Sequence, residues 1–173
     1  MKITLLSGLF SLLFLVGCSS SNKESKNGAQ PAADAEAQFT SYSEAAAKAK
    51  RENKIILVDV YTDWCVWCKR MDKDVYTDAK VKAEMEKYFA AAKLDAESAT
   101  NQSFKGVAKT EQAIAADLKV SGYPTTVFLS PDEQIIQIVP GYVKAPDFAL
   151  ALRYIGSRAY EKQDFESWRK TQS

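Results

Sequence analysis

Cys65 and Cys68, in the segment Trp64-Cys65-Val66-Trp67-Cys68-Lys69, have two residues between them, a spacing that lets two thiols close a ring and open it again. They follow Ile55-Ile56-Leu57-Val58-Asp59-Val60-Tyr61, which reads as a buried strand because all but Asp59 are apolar or aromatic. From Cys65 through Met71 there is neither Gly nor Pro, and the stretch reads as a helix. Cys65 then falls at a helix N-terminus, where unpaired N–H groups and the helix dipole favour a thiolate, the form that attacks disulfides. Cys68 lies one turn further on, on the same face. The chemistry expected is dithiol–disulfide exchange. A structural zinc needs four ligands, yet the chain has no histidine and only one other cysteine, Cys18, so no metal is expected. An inert disulfide across so short a loop gains little from restricting the unfolded chain.

Cys18 belongs to a different pattern. Lys2 precedes a mostly apolar stretch from Ile3 to Val16 that ends in Leu15-Val16-Gly17-Cys18. A positive start, a short apolar core and small residues at the end describe a secretory signal over residues 1–18. The stretch falls short of the ~20 apolar residues that span a bilayer. Leu-Val-Gly-Cys resembles the bacterial lipobox, which implies that Cys18 is lipidated and anchors the mature chain to a membrane. Residues 19–38 are rich in Ser, Asn, Lys, Gly, Ala and Gln and read as a tether, with a root-mean-square reach of roughly 25 Å. Residues 39–173 suffice for one domain with a sizeable core. Without Lys2 the chain carries 22 basic and 22 acidic side chains and no basic stripe, so no nucleic-acid role is expected.

The domain's elements can be read in order. Ser41-x-x-Glu44 is a capping box opening an Ala/Lys-rich helix. The strand 55–61 and the cysteine helix follow, then a helix over 78–89, with Val81, Met85 and Phe89 four apart. Residues 89–94 read as a strand, 96–109 as a long loop, and 110–119 as a helix with Ile114 and Leu118 on one face. Thr125 to Leu129 and Gln134 to Val139 read as an antiparallel hairpin around Ser130-Pro131-Asp132-Glu133. A helix over 145–160 turns Phe148, Leu152 and Ile155 inward, and Phe165 and Trp168 suggest a last helical turn. The fold class is α/β, helices packed around a central mixed β-sheet.

The segment Val58 through Lys69, with its Tyr-x-Asp-Trp-Cys-Val-x-Cys-Lys pattern, closely resembles the active site of thioredoxin-like proteins. Among these it most resembles the C-terminal periplasmic domain of the disulfide reductase DsbD. Gly122-Tyr123-Pro124-Thr125 resembles the family's second hallmark, a cis-proline loop facing the cysteines. The resemblance covers residues 55–155 and implies the thioredoxin fold, no cofactor, and a division of labour. Cys65 would be the attacking thiolate and Cys68 the resolving thiol. Asp59 matches a buried acid beneath the cysteines. A carboxyl that loses its water has a raised pKa and is suited to accept the proton of Cys68; a solvated carboxylate at a strand end is the alternative. Lys93 matches a lysine that pairs with that acid, against the alternative of a surface lysine. Pro124, if cis, would keep the loop backbone beside Cys65, and the N–H and C=O of Tyr123 would pair with an extended substrate. Trp64 is expected beside the site. Trp67, where the family usually has a small or polar residue, would shield the thiols, offer an apolar docking face, or join the core.

The resemblance implies an envelope thiol–disulfide oxidoreductase whose clients are protein disulfides or dithiols. It acts as a monomer, re-reduced by a membrane thiol donor of the DsbD or CcdA kind. Val66 and Trp67 place no positive charge between the cysteines, so the expected potential lies nearer ~−270 mV than ~−120 mV, which favours reduction. An oxidase or isomerase, or a tethered peptide-binding module, are the alternative functions. Ser19 after the lipidated cysteine points towards the outer membrane by the enterobacterial rule, while a membrane donor argues for the inner one; both placements stay open.

Overall fold

The apolar run 55–61 becomes the central strand of a five-stranded sheet in the computed structural model, which describes residues 38–172. Cys18, the signal and the tether up to residue 37 lie outside the described residues. In chain order the elements are β1 (Phe39–Thr40), α1 (Tyr42–Glu52), β2 (Ile55–Tyr61), α2 (Val66–Asp74), α3 (Ala79–Tyr88) and β3 (Phe89–Asp95). Then come β4 (Asn101–Phe104), β5 (Val107–Thr110), α4 (Glu111–Asp117), β6 (Thr125–Leu129), β7 (Ile135–Pro140), α5 (Ala145–Gly156) and α6 (Phe165–Lys170). The main sheet runs β1-β3-β2-β6-β7, with β1, β3 and β2 parallel and β6 and β7 antiparallel. This is the mixed α/β sandwich expected. No helix among the described residues is long and apolar enough to cross a membrane.

Strand β2 is apolar on both sides because helices cover both faces of the sheet. Ile56, Val58 and Val60 pack with Tyr42, Ala45 and Ala49 of α1 and with Ile114 and Leu118. Ile55 and Leu57 pack on the other side with Met71, Val81, Met85, Phe148 and Leu152. Local chemistry sets the helix starts. Ser41 caps α1 through the full capping box, and Asp78 caps α3 by accepting the N–H groups of Lys80 and Val81. Helices α3 and α5 approach so closely that a Cβ on Gly156 would lie 2.5 Å from the Tyr88 ring.

Two expectations need correction, and one strand is added. The span 96–109 is not a structureless loop: β4 and β5 form a hairpin within it. Its two turn residues, Lys105 at φ 51° and Gly106 at φ 78°, both occupy the left-handed region, as a tight two-residue hairpin turn requires. Lysine is not among the residues that advertise such a turn, so the signal was half missing. Phe104 packs on Tyr42, Gln102 Oε1 accepts the Ser43 hydroxyl at 2.8 Å, and the Lys105 N–H donates to Glu133 at 2.7 Å. Glu133 follows Leu129, which pairs with Ile56 at the start of β2, so the hairpin tip sits at the end of the sheet opposite the cysteines. The helix expected to reach residue 160 ends at Gly156, with Arg158 in the left-handed region at φ 57° and a single 3-10 turn over Ala159–Glu161. The added strand is β1, whose two residues are too few to carry a periodic signal. The expected last turn forms as α6, with Trp168 buried and 5.3 Å from the Tyr154 ring.

Candidate active site

Strand β2 delivers the chain to the C-terminal edge of the sheet, and Thr62-Asp63-Trp64 turns it into α2. Cys65 is the N-cap of α2: its backbone is extended, its own N–H donates to Thr62 O at 3.1 Å, and its Sγ accepts the Cys68 N–H at 3.0 Å. Sulfur here takes the place of the Ser or Asp oxygen that usually satisfies a helix's first free N–H groups. Cys65 and Cys68 are joined as a disulfide with their Cα atoms 5.3 Å apart. They are 4% and 2% exposed. Such groups give a developing thiolate on Cys65 an oriented N–H donor and the positive end of a helix.

Beneath them, on the α2 side of the sheet, an ionic network runs from a buried carboxyl to partly exposed partners. Asp59 is 1% exposed, which excludes the solvated strand end. Its Oδ2 lies 3.2 Å from Lys93 Nζ, supplied by the register partner on β3. Lys93 also pairs with Asp72 of α2, and its ammonium rests 4.9 Å from the Tyr61 ring and 5.5 Å from the Phe39 ring. The surface-lysine alternative is thereby excluded. Burial pushes the Asp59 carboxyl above the ordinary carboxylate range, Lys93 draws it back down, and the charge of Asp72 raises it again. Burial works against the charge on Lys93, but Asp59 and Asp72 outweigh it and its pKa is raised. Asp59 Oδ1 has no hydrogen-bond partner.

Around the disulfide the aromatic residues stand outside the core. Trp64 is 64% exposed, with its edge against the Tyr123 ring at 5.9 Å and its Nε1–H donating to the Glu97 carboxylate at 3.0 Å. Trp67 is 52% exposed, which rules out the core role. Its ring lies 5.5 Å from Tyr142, and the Arg70 guanidinium covers both rings at 5.3 and 5.7 Å. The Tyr123–Pro124 peptide is cis, and Gly141 N–H donates to Pro124 O at 2.8 Å, fixing the loop to the end of β7.

The structure therefore brings Asp59 and Lys93 together, and Trp64 and Tyr123. It adds residues that the sequence reading passed over. Asp72 sits four residues after Cys68, one helical turn along the same face, and that spacing was a usable signal. Tyr142 and Glu97 come from distant loops, and no local pattern announces them.

Comparison with known proteins agrees with this geometry. Residues 42–156 match the family described as "Thioredoxin-like domain". DsbD of Tatumella citrea, a thiol:disulfide interchange protein, is 33% identical over 105 residues, covering 59% of this chain but only 16% of that much longer protein. The disulfide bond reductase DsbH of Chlamydia pneumoniae is 29% identical over 82% of this chain and 92% of its own. A thioredoxin-fold protein of Helicobacter pylori superposes with a TM-score of 0.61 at 21% identity, over 69% of this chain and 80% of that one. With a disulfide-bonded Cys-x-x-Cys pair capping α2 over this sheet, the chain belongs to the thioredoxin-like family.

Proposed function

We propose that the protein reduces protein disulfides on the outer side of a bacterial cytoplasmic membrane, with Cys65 and Cys68 as its exchange centre. The observation that carries the reading is Cys65 Sγ held at the N-cap of α2 by the Cys68 N–H, above the buried Asp59. In the reduced protein, the Cys65 thiolate attacks one sulfur of a client disulfide, forming a mixed disulfide and releasing the client's other sulfur as a thiolate. Asp59 accepts the proton of Cys68, and the Cys68 thiolate attacks Cys65 Sγ. That step releases the second client sulfur and leaves the Cys65–Cys68 disulfide seen here. The client gains the two electrons that the protein loses and leaves as two thiolates, which take protons from Asp59 and from solvent; a membrane dithiol donor of the DsbD or CcdA kind restores the reduced pair.

Lys93 moderates the acid, holding the charge of Asp59 in the dry interior until the proton arrives. Tyr123, in the loop shaped by the cis Pro124 peptide, offers its N–H and C=O to an extended client segment, in the manner of an added strand. Exposed Trp64 and Trp67 flank the cysteines, so apolar residues beside a client's disulfide are the natural contacts. A lipid on Cys18 and the tether 19–38 would hold the domain near the membrane surface. Of the homologues just described, DsbH carries the name of a disulfide bond reductase, which supports this direction of electron flow.

The test is a Cys68→Ser variant expressed in cells. Resolution is blocked, so clients accumulate as mixed disulfides on Cys65 and run as reducible high-mass bands; their absence overturns the reading. A potential of the pair above about −150 mV would reverse the direction to oxidation.

A further inference from the structure

Asp59 has a second, unused oxygen, and two other buried polar groups near it are equally unused. Oδ1 of Asp59, Oη of Tyr76 and Oγ1 of Thr126 are all buried and none has a partner at hydrogen-bond distance in this disulfide form, although the Tyr76 hydroxyl is near enough to Asp59 and to Thr126 to interact with both. Their convergence follows from the fold. Thr126 is the cross-strand partner of Asp59 on β6, opposite Lys93 on β3, so Asp59 is flanked by lysine on one side and threonine on the other. Tyr76 follows α2 and is held at its backbone and its ring. Its N–H donates to Met71 O at 3.1 Å, and its carbonyl accepts Gln38 Nε2 at 3.2 Å. Its ring stands edge-on to Phe39 at 4.8 Å and to Phe148 at 5.8 Å. Proteins rarely leave even one buried side-chain polar atom without a partner, and three around a reacting acid call for a role in one of its protonation states.

We propose that Thr126, Tyr76 and Asp59 form a buried hydroxyl chain, Thr126 O–H to Tyr76 Oη and Tyr76 O–H to Asp59 Oδ1, that closes when the carboxyl is ionised and opens when it takes the proton of Cys68. Tyr76 and Thr126 are positioning residues: neither touches a client, and both act through Asp59. The signs of the interactions agree. The Tyr76 hydroxyl favours the ionised form of Asp59, and the Thr126 hydroxyl favours ionised Tyr76, as a donor in series would. The other groups facing Asp59 are Lys93 from β3 and Asp72 from α2. They set its average charge, whereas the hydroxyl chain would respond to its change. In an interior without water to reorganise, this provides a fixed acceptor with a donor that engages only before the proton moves.

The inference rests on the role of Asp59 proposed above, and the experiment separates the two. The Asp59 carboxyl is titrated by carbon NMR in the disulfide form, and the rate of disulfide exchange is followed against pH. The titration is done for the parent, Tyr76→Phe and Thr126→Val. The rate profile is followed for these three, for Asp59→Asn, and for each hydroxyl variant combined with Asp59→Asn. Tyr76→Phe should raise the proton affinity of Asp59 by about three- to tenfold and move the matching limb of the rate profile to higher pH. Thr126→Val should move it the same way by less. Combined with Asp59→Asn, neither should move the profile at all. If Asp59→Asn itself leaves the profile unchanged, the acid role fails and the chain with it. If Asp59→Asn abolishes the limb but Tyr76→Phe leaves it in place, the chain alone is overturned. A shift that survives when Asp59→Asn is also present marks Tyr76 as structural and also overturns it. Phenylalanine keeps both ring contacts of Tyr76, so the variant retains the packing of the site.

Discussion

The two faces of β2 are equally buried and chemically opposite. One row, Ile56, Val58 and Val60, packs with apolar side chains of α1 and α4 and carries no charge. The other begins the same way with Ile55 and Leu57 and then, on the face that α2 covers, turns to Asp59. Because successive strand residues point to opposite faces, a carboxylate can be set into one layer without disturbing the packing of the other. The difference shows how the fold separates its tasks: one layer holds the sheet together, while the other concedes stability to keep a titrating group dry.

Breaking the first layer should affect stability alone. Ile56→Ala removes a fully buried side chain and is expected to cost about 2–5 kcal/mol in denaturant unfolding, with the potential of the disulfide unchanged. A shifted potential would show that the layers are coupled. Changing the second layer should do the reverse. Asp59→Asn is expected to slow exchange roughly 10²-fold, as loss of a general base does. It should also stabilise the fold at neutral pH. The folded-state pKa of Asp59 is raised, so its contribution is fully present below the ordinary carboxylate pKa and is lost as pH rises through the folded value. Asparagine has no such loss, and Lys93 keeps Asp72 as a partner. The gain should therefore be seen in melts at pH 7 and vanish in melts below the ordinary carboxylate range. The smallest effect is expected at the rim. Trp67→Ala should raise KM for peptides with an apolar residue beside the disulfide by about two- to tenfold, leaving kcat and stability unchanged.

How far these layers were legible in the sequence differs in the same way. Alternation and helix caps are local, and Ser41, Asp78 and the 55–61 run mark α1, α3 and β2 to within a residue. The cysteine pair and Asp59 belong to one continuous segment and were legible for the same reason. Lys93 needed the sheet register, which the motif resemblance supplied and the side-by-side pairing of β2 with β3 explains. Tyr142, Glu97 and Thr126 reach the site only through tertiary return of the chain, and no window of sequence contains both them and the cysteines. The β4–β5 hairpin was missed because Lys105 occupies a left-handed turn position usually marked by Asn, Asp or Gly.

The sulfur that caps α2 has one more consequence. A single N–H, that of Cys68, faces Cys65 Sγ at 3.0 Å, and that sulfur passes in turn from thiolate to mixed disulfide to internal disulfide. The Cys68 amide is thus an intrinsic spectroscopic probe, whose proton resonance follows the electron density on the neighbouring sulfur at each stage. The progress of a turnover can be read from one backbone signal, with no reporter group attached to the protein.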